Sequence, residues 1–250
     1  MHAILPLAIG LVALLYASVG HAGATGYIAV MTLLGMPSAV VRPTALLLNV
    51  IVATIASVQF IRAGHFRSRL FWPLAVASVP CAFLGGTLTL PTAAFEAVLG
   101  GVLLASAARM LLDARQPASH NDEISPSLPE RPRLTPAVLG ALGGGVGLLS
   151  GLTGVGGGVF LTPALLTLGA APVKTIAAVT APFILVNSLA GLGGGLLAGR
   201  PFPAAGLPVI AAAVLGGAIG SHLGAFRLPV TAIQFLMAVV LAMASAKSLL

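Results

Sequence analysis

Twice in this chain a long apolar stretch is cut by a cluster of glycines. The first cut reads Gly20-His21-Ala22-Gly23-Ala24-Thr25-Gly26, followed by an apolar run to Gly35, a proline, and Asn49 in the next apolar segment. The second reads Gly154-Val155-Gly156-Gly157-Gly158, followed by an apolar run to Gly169, a proline, and Asn187. Gly20 and Gly154 are 134 residues apart, while Gly64 and Gly199, Pro73 and Pro208, and Gly85 and Gly220 are each 135 apart. The doubling predicts a two-fold internal repeat. Each glycine costs a helix about 1 kcal/mol relative to Ala, so clusters of this kind predict a broken or re-entrant helix in each half.

The surroundings of the cuts decide their meaning. Hydrophobic residues make up 58% of the chain and charged residues 7%, against about 25% charged in a soluble domain. So few charges cannot cover a water-soluble surface, and the apolar segments are long enough for a hydrocarbon core of about 30 Å. An outer-membrane barrel needs alternating apolar and polar positions, and runs such as Leu207 to Leu215 have none. The predicted class is an all-α polytopic membrane protein, a helical bundle. In such a protein, matched glycine-interrupted segments point to a transporter whose substrate site lies at the interruptions.

Ten apolar segments are predicted, five per half: 3–19, 22–34, 44–61, 71–89 and 94–112, then 136–150, 155–168, 175–196, 204–224 and 229–249. The chain divides into a first transmembrane repeat (1–112), a linker (113–135) and a second repeat (136–250). The linker carries seven of the seventeen Asp, Glu, Lys and Arg residues and four prolines. Pro91 and Thr92, with Glu96 soon after, mark a helix start. The first segment has no Lys or Arg before it and pairs with 136–150, so it reads as a helix rather than a cleaved leader. Segments 22–34 and 155–168 are too short to cross alone. If both complete a crossing, the halves are inverted; if both are re-entrant, the halves are parallel.

The net charge of +7 is spread over loops without a basic stripe, which argues against nucleic acid as a partner. Its expected meaning is orientation, with Lys and Arg in excess on the cytoplasmic side. The Arg62 to Arg69 loop and the linker carry seven basic residues with Arg109 and are predicted to be cytoplasmic. Trp72 and Phe71 beside the loop suit an interfacial anchor. Cys81 is the single cysteine, so no intrachain disulfide or thiolate cluster forms, and it reads as packing.

Gly216, Gly220 and Gly224 form a small-xxx-small face for close helix packing, so Gly220→Ala is expected to be mild. The two clusters carry more. Where the chain resumes as a helix, its first N–H groups are free and suit an anion. The expected substrate-binding residues are therefore His21, Gly23, Thr25 and Gly26 in the first half, and Thr153, Gly156, Gly157 and Gly158 in the second. Asn49 and Asn187 are read as matched amides that either bridge the broken backbone or touch substrate. No Asp or Glu lies mid-segment, which disfavours carboxylate proton relays and cation sites. Neither HExxH, Walker A nor GxSxG is present, so no enzyme activity, metal or cofactor is expected.

The doubled pattern resembles the TauE/SafE sulfite exporter family. The resemblance rests on the glycine break, apolar run and proline from Gly154 to Pro172, the Asn in the next helix, and the loop Ala63-Gly64-His65-Phe66. It covers the chain apart from the linker, with the first half departing at His21 and Ala24-Thr25. It implies a multi-pass permease of a bacterial inner membrane, moving sulfite or small organosulfonates. The partners expected are a small anion, the bilayer and further copies of the chain. The competing readings are a non-transporting membrane scaffold and a metal-cation permease.

Overall fold

The computed structural model of the chain describes residues 4–88 and 134–229, apart from residue 204, together with residues 232, 233, 235 and 236. Most of the linker, the Glu96 helix start and the segments 94–112 and 229–249 lie wholly or largely outside the described residues. Those described form eight helices and no strand: α1 (Ile4–Ser18), α2 (Ala24–Leu33), α3 (Ser38–Arg62), α4 (Ser68–Thr87), α5 (Pro136–Thr153), α6 (Gly158–Thr167), α7 (Val173–Leu197) and α8 (Leu207–His222). A π-helical turn, Leu223–Arg227, prolongs α8. With that turn, five of these helices are long and apolar enough to span a membrane, namely α3, α4, α5, α7 and α8. Leu7, Leu33, Val76, Leu197 and Leu215 project outward, as a hydrocarbon surrounding allows.

Proline sets where the long helices begin. Pro37 (φ −60°) precedes α3 and Pro172 (φ −58°) precedes α7, each supplying the fixed φ of a helix entry. The helices start earlier than the apolar runs at 44 and 175 suggest. α3 in particular includes Arg42 and carries Pro43 as its sixth residue. The proline there withdraws one N–H from Ala39, whose exposed position costs little.

Glycine sets how the helices pair. A Cβ on Gly143, Gly147 or Gly151 of α5 would run into the backbone of Leu74, Ser78 or Ala82 on α4. The contacts rise in step along both helices, so α4 and α5 run parallel. The same holds for Gly216, Gly220 and Gly224 of the α8 end against Gly10, Leu14 and Ser18 of α1. The small-xxx-small face is thus a backbone-to-backbone seam, and the mild Gly220→Ala expected above does not fit it. α3 and α7 pack against each other, with α4 on α7 and α8 on α3.

Two faces of the bundle follow. The starts of α4 and α5 and the end of α6 line one cleft, and His65 of the α3–α4 loop lies near Lys174 and Ala225. This face therefore carries Arg62, Arg67, Arg69, Lys174 and Arg227. At the other face an Arg200 Nη2 donates to Leu88 O at 2.8 Å, tying the ends of α7 and α4 together. Each short helix doubles back on the one before it. Gly26 of α2 stands against Val12 and Tyr16 of α1, and Gly157 before α6 stands against Val146 and Ser150 of α5. α1 starts at the face opposite the basic one, and α5 starts at the basic face.

Candidate functional site

The chain leaves α1 at Ser18, turns through Gly20 (φ +78°) and Gly23 (φ +102°), and enters α2 at Ala24. It leaves α5 at Thr153, turns through Gly154 (φ +73°), Gly156 (φ +82°) and Gly157 (φ +81°), and enters α6 at Gly158. These left-handed values are where glycine, with no Cβ, is at ease. Gly23 and Gly157 occupy the N-cap positions, and neither offers a side chain to the amides that follow. The N-cap residues thus give no side-chain cap to the first turns of two short helices inside the bundle, at the ends that carry partial positive charge, although the Phe160 N–H bonds to Gly157 O at 3.1 Å.

His21 joins the two starts. It is buried, its Nδ1 lies 3.3 Å from Val19 O, and its ring faces the backbone of Gly158. Its Nε2 has no hydrogen-bond partner. Ile184 of α7 reinforces the junction, since it covers Gly156 and Gly158 and belongs to the same apolar cluster as Ala22 and Ala24.

The two asparagines are placed differently. Asn49 Nδ2 donates to Val155 O in the second interruption at 3.2 Å and to Ser188 Oγ of α7 at 3.4 Å. A Cβ on Gly156 would fall 2.5 Å from that nitrogen, so the glycine is what admits the amide. Asn187 Nδ2 instead donates to Phe183 O within α7 at 2.8 Å and to Ser78 Oγ of α4 at 3.0 Å. Neither bond reaches an interruption. Asn49 is the twelfth residue of α3 and Asn187 the fifteenth of α7. The three-residue offset, about 4.5 Å along a helix, separates amides that the sequence pairs. Both Oδ1 atoms are buried without a partner.

The threonines serve their surroundings. Thr25 Oγ1 donates to the Tyr16 hydroxyl at 2.9 Å. The Thr153 hydroxyl donates to Ser150 O at 3.3 Å and accepts from the Val155 N–H at 3.1 Å, which commits its proton to the backbone. Gly26 lies within α2, where a Cβ would press on Val12 Cγ1 at 2.5 Å, a packing role. Sequence reasoning missed Tyr16, Tyr27, Ser150 and Ser188. The Tyr27 hydroxyl and Ser150 Oγ are buried and unpartnered, and the Tyr27 ring covers Gly23. A signal existed: the chain has two tyrosines and both flank the first interruption.

The set is rich in donors and free of acid. All five Asp and Glu residues lie outside the described part of the chain, and no group of three potential metal ligands occurs among the described residues.

The sulfite exporter TauE/SafE family matches residues 5–248. The chain belongs to that family. It is also 35% identical, over 245 residues covering 98% of this chain and 97% of the relative, to a probable membrane transporter protein, y4hK, of Sinorhizobium fredii. No solved structure matches it. This TauE/SafE member is therefore a multi-pass membrane transporter and not an enzyme. Its surroundings include the bilayer, and its cargo is a small molecule.

Proposed function

We propose that this transporter carries a small oxyanion, sulfite or a short organosulfonate, across a bacterial inner membrane. The anion is held where α2 and α6 begin. The observation that supports this most is the junction of two helix starts without side-chain caps, with the His21 ring against the Gly158 backbone. Each start offers backbone N–H groups to negative charge. The unpartnered Tyr27 and Ser150 hydroxyls supply further donors. Asn49 holds the second interruption in place, and Asn187 supports α7 from behind.

On this reading the two halves are an inverted repeat, each with a helix broken at its glycines. The short helices turn back, but so does each pair as a whole, which is neither of the two cases posed by the sequence and removes the link between re-entry and parallel halves. α1 and α5 start from opposite faces, and their short partners return towards the face each came from. The basic face is cytoplasmic. Five of the seven described Lys and Arg residues stand there, with Arg42 and Arg200 towards the other, in accord with the charge rule.

Flux from proteoliposomes tests the site. Gly23→Leu and Gly157→Leu should each reduce sulfite efflux to the protein-free background, with folding confirmed by gel filtration. Normal transport in either variant defeats the two-sided site. Stabilisation of the purified protein by nickel, with no response to sulfite, sulfate, sulfoacetate or taurine, defeats the anion.

A further inference from the structure

At the basic face a cleft of about 550 Å³ opens between the start of α4, the start of α5 and the α6–α7 connection. Its lining includes Arg67, Ser68, Arg69 and Leu70 from the start of α4, and Leu134 and Leu139 from the start of α5. None of these residues takes part in the site between the short helices. We propose that the cleft binds the phosphate headgroup of an anionic phospholipid.

Charge and shape both favour that occupant. Arg67 and Arg69 are exposed, and both line the cleft. Basic pockets between membrane helices are the usual seat of anionic headgroups. A small soluble anion would use the guanidinium groups and leave the lining leucines without a role. The glycerol and first methylenes of a lipid would use both. The volume lies in the range of ligand pockets, ~300–1,000 Å³.

The depth also fits. Trp72, one helical turn beyond Ser68, is 61% exposed. It packs edge-on against Phe71 with centroids 5.3 Å apart, and Phe71 packs against Phe66 of the cleft at 5.5 Å. Amphipathic aromatic rings collect at the headgroup level of a bilayer. The cleft therefore opens where lipid phosphates lie.

The test uses the full-length protein in detergent and needs no transport measurement. Phosphatidylglycerol or phosphatidylcholine is added, and melting temperature and native mass spectra are recorded. Phosphatidylglycerol should raise the melting temperature by several degrees and appear as a bound adduct, while phosphatidylcholine should do neither. In R67Q/R69Q the shift should fall below half. In R62Q/R227Q, which removes the same charge from the same face outside the cleft, it should persist. An equal loss in both double variants would reduce the effect to surface charge and overturn the site. Inorganic phosphate matching the lipid's effect would make it a soluble-anion site, and no effect of phosphatidylglycerol on the wild type would overturn it outright. If R67Q/R69Q does not fold, the single variants Arg67→Gln and Arg69→Gln are compared in the same way.

Discussion

Replacing each asparagine by leucine separates two amides that look equivalent in sequence. Asn49→Leu keeps the branched shape of the side chain, though with more bulk, and removes the donation to Val155 O at 3.2 Å and to Ser188 Oγ at 3.4 Å. Asn49 is fully buried, so Val155 O is left without that donor, at about 1–3 kcal/mol. Hydrogen bonds between membrane helices average nearer ~0.6 kcal/mol, so a loss of about 1–2 kcal/mol of stability is expected. Asn187→Leu loses bonds of 2.8 and 3.0 Å to Phe183 O and Ser78 Oγ and should cost a similar amount. The variants should part in transport. Asn49→Leu frees Val155 and the glycine turn behind it, so the amides of Gly157 and Gly158 lose their fixed position. Flux per folded molecule should fall at least tenfold, the equivalent of about 1.4 kcal/mol. Asn187→Leu should retain flux within about threefold, since its bonds lie behind the site. Stability is read from melting in detergent, and flux from sulfite-loaded proteoliposomes normalised to folded protein. Equal flux losses in the two variants, or an unchanged melting temperature for Asn49→Leu, would refute the reasoning.

Gly147→Ala places a methyl against the Ser78 backbone and should cost about 1–3 kcal/mol as an overpacked seam. Gly145→Ala, two residues away with nothing within 4 Å of its Cβ position, should stay within about 0.5 kcal/mol; similar melting of the two would contradict the parallel α4–α5 packing. In a Cys81→Ala background, a cysteine replacing Ser68 should react with an impermeant maleimide only in inverted vesicles, and one replacing Phe202 only in intact cells; the reverse pattern would invert the topology. Burial first, then the charge of Lys174, hold the His65 imidazole below its ordinary 6.5. A lowered folded-state value favours the neutral ring, so this stabilisation is present above 6.5 and fades as the pH falls through and below it. His65→Gln should flatten that part of the melting-versus-pH curve slightly, and an unaltered curve would remove His65 from the balance.

Much of the architecture is legible in the chain because glycine and proline act locally. Gly23 and Gly157 are needed at left-handed turns, and Pro37 and Pro172 at helix entries, so where helices stop and start can be read in advance. The partners of a helix face cannot. Gly220 signals close packing, yet nothing local says that it meets the Leu14 backbone and has no room for a methyl. The Asn49 and Asn187 pairing failed for a related reason. Repeat spacing is measured along the chain, and a three-residue slip changes the depth of a side chain and the helix it reaches. Thr153 has a donor's chemistry, but its proton is already spent one turn back, on Ser150 O. Tyr16 and Tyr27 were visible as the two tyrosines beside the first interruption. Their importance follows from the fold-back of α2, which puts aromatic hydroxyls beside a glycine turn.

The pairing of α1 with α8, and of α4 with α5, bears on how the protein is made. α1 ends at Ser18 and its glycine-bearing partner begins at Leu207. At a synthesis rate of ~5–20 residues per second, roughly 10–40 s pass between the emergence of the two from the ribosome. Throughout that interval the first helix and the start of the first glycine turn sit in the bilayer without the surface that will close over them. Neither half can complete its own packing, because the outer helix of each is seated on the other. Severing the chain in the linker should therefore give two fragments that accumulate only when produced together, and a nascent chain whose early polar groups depend on insertion factors or lipid until its last quarter arrives.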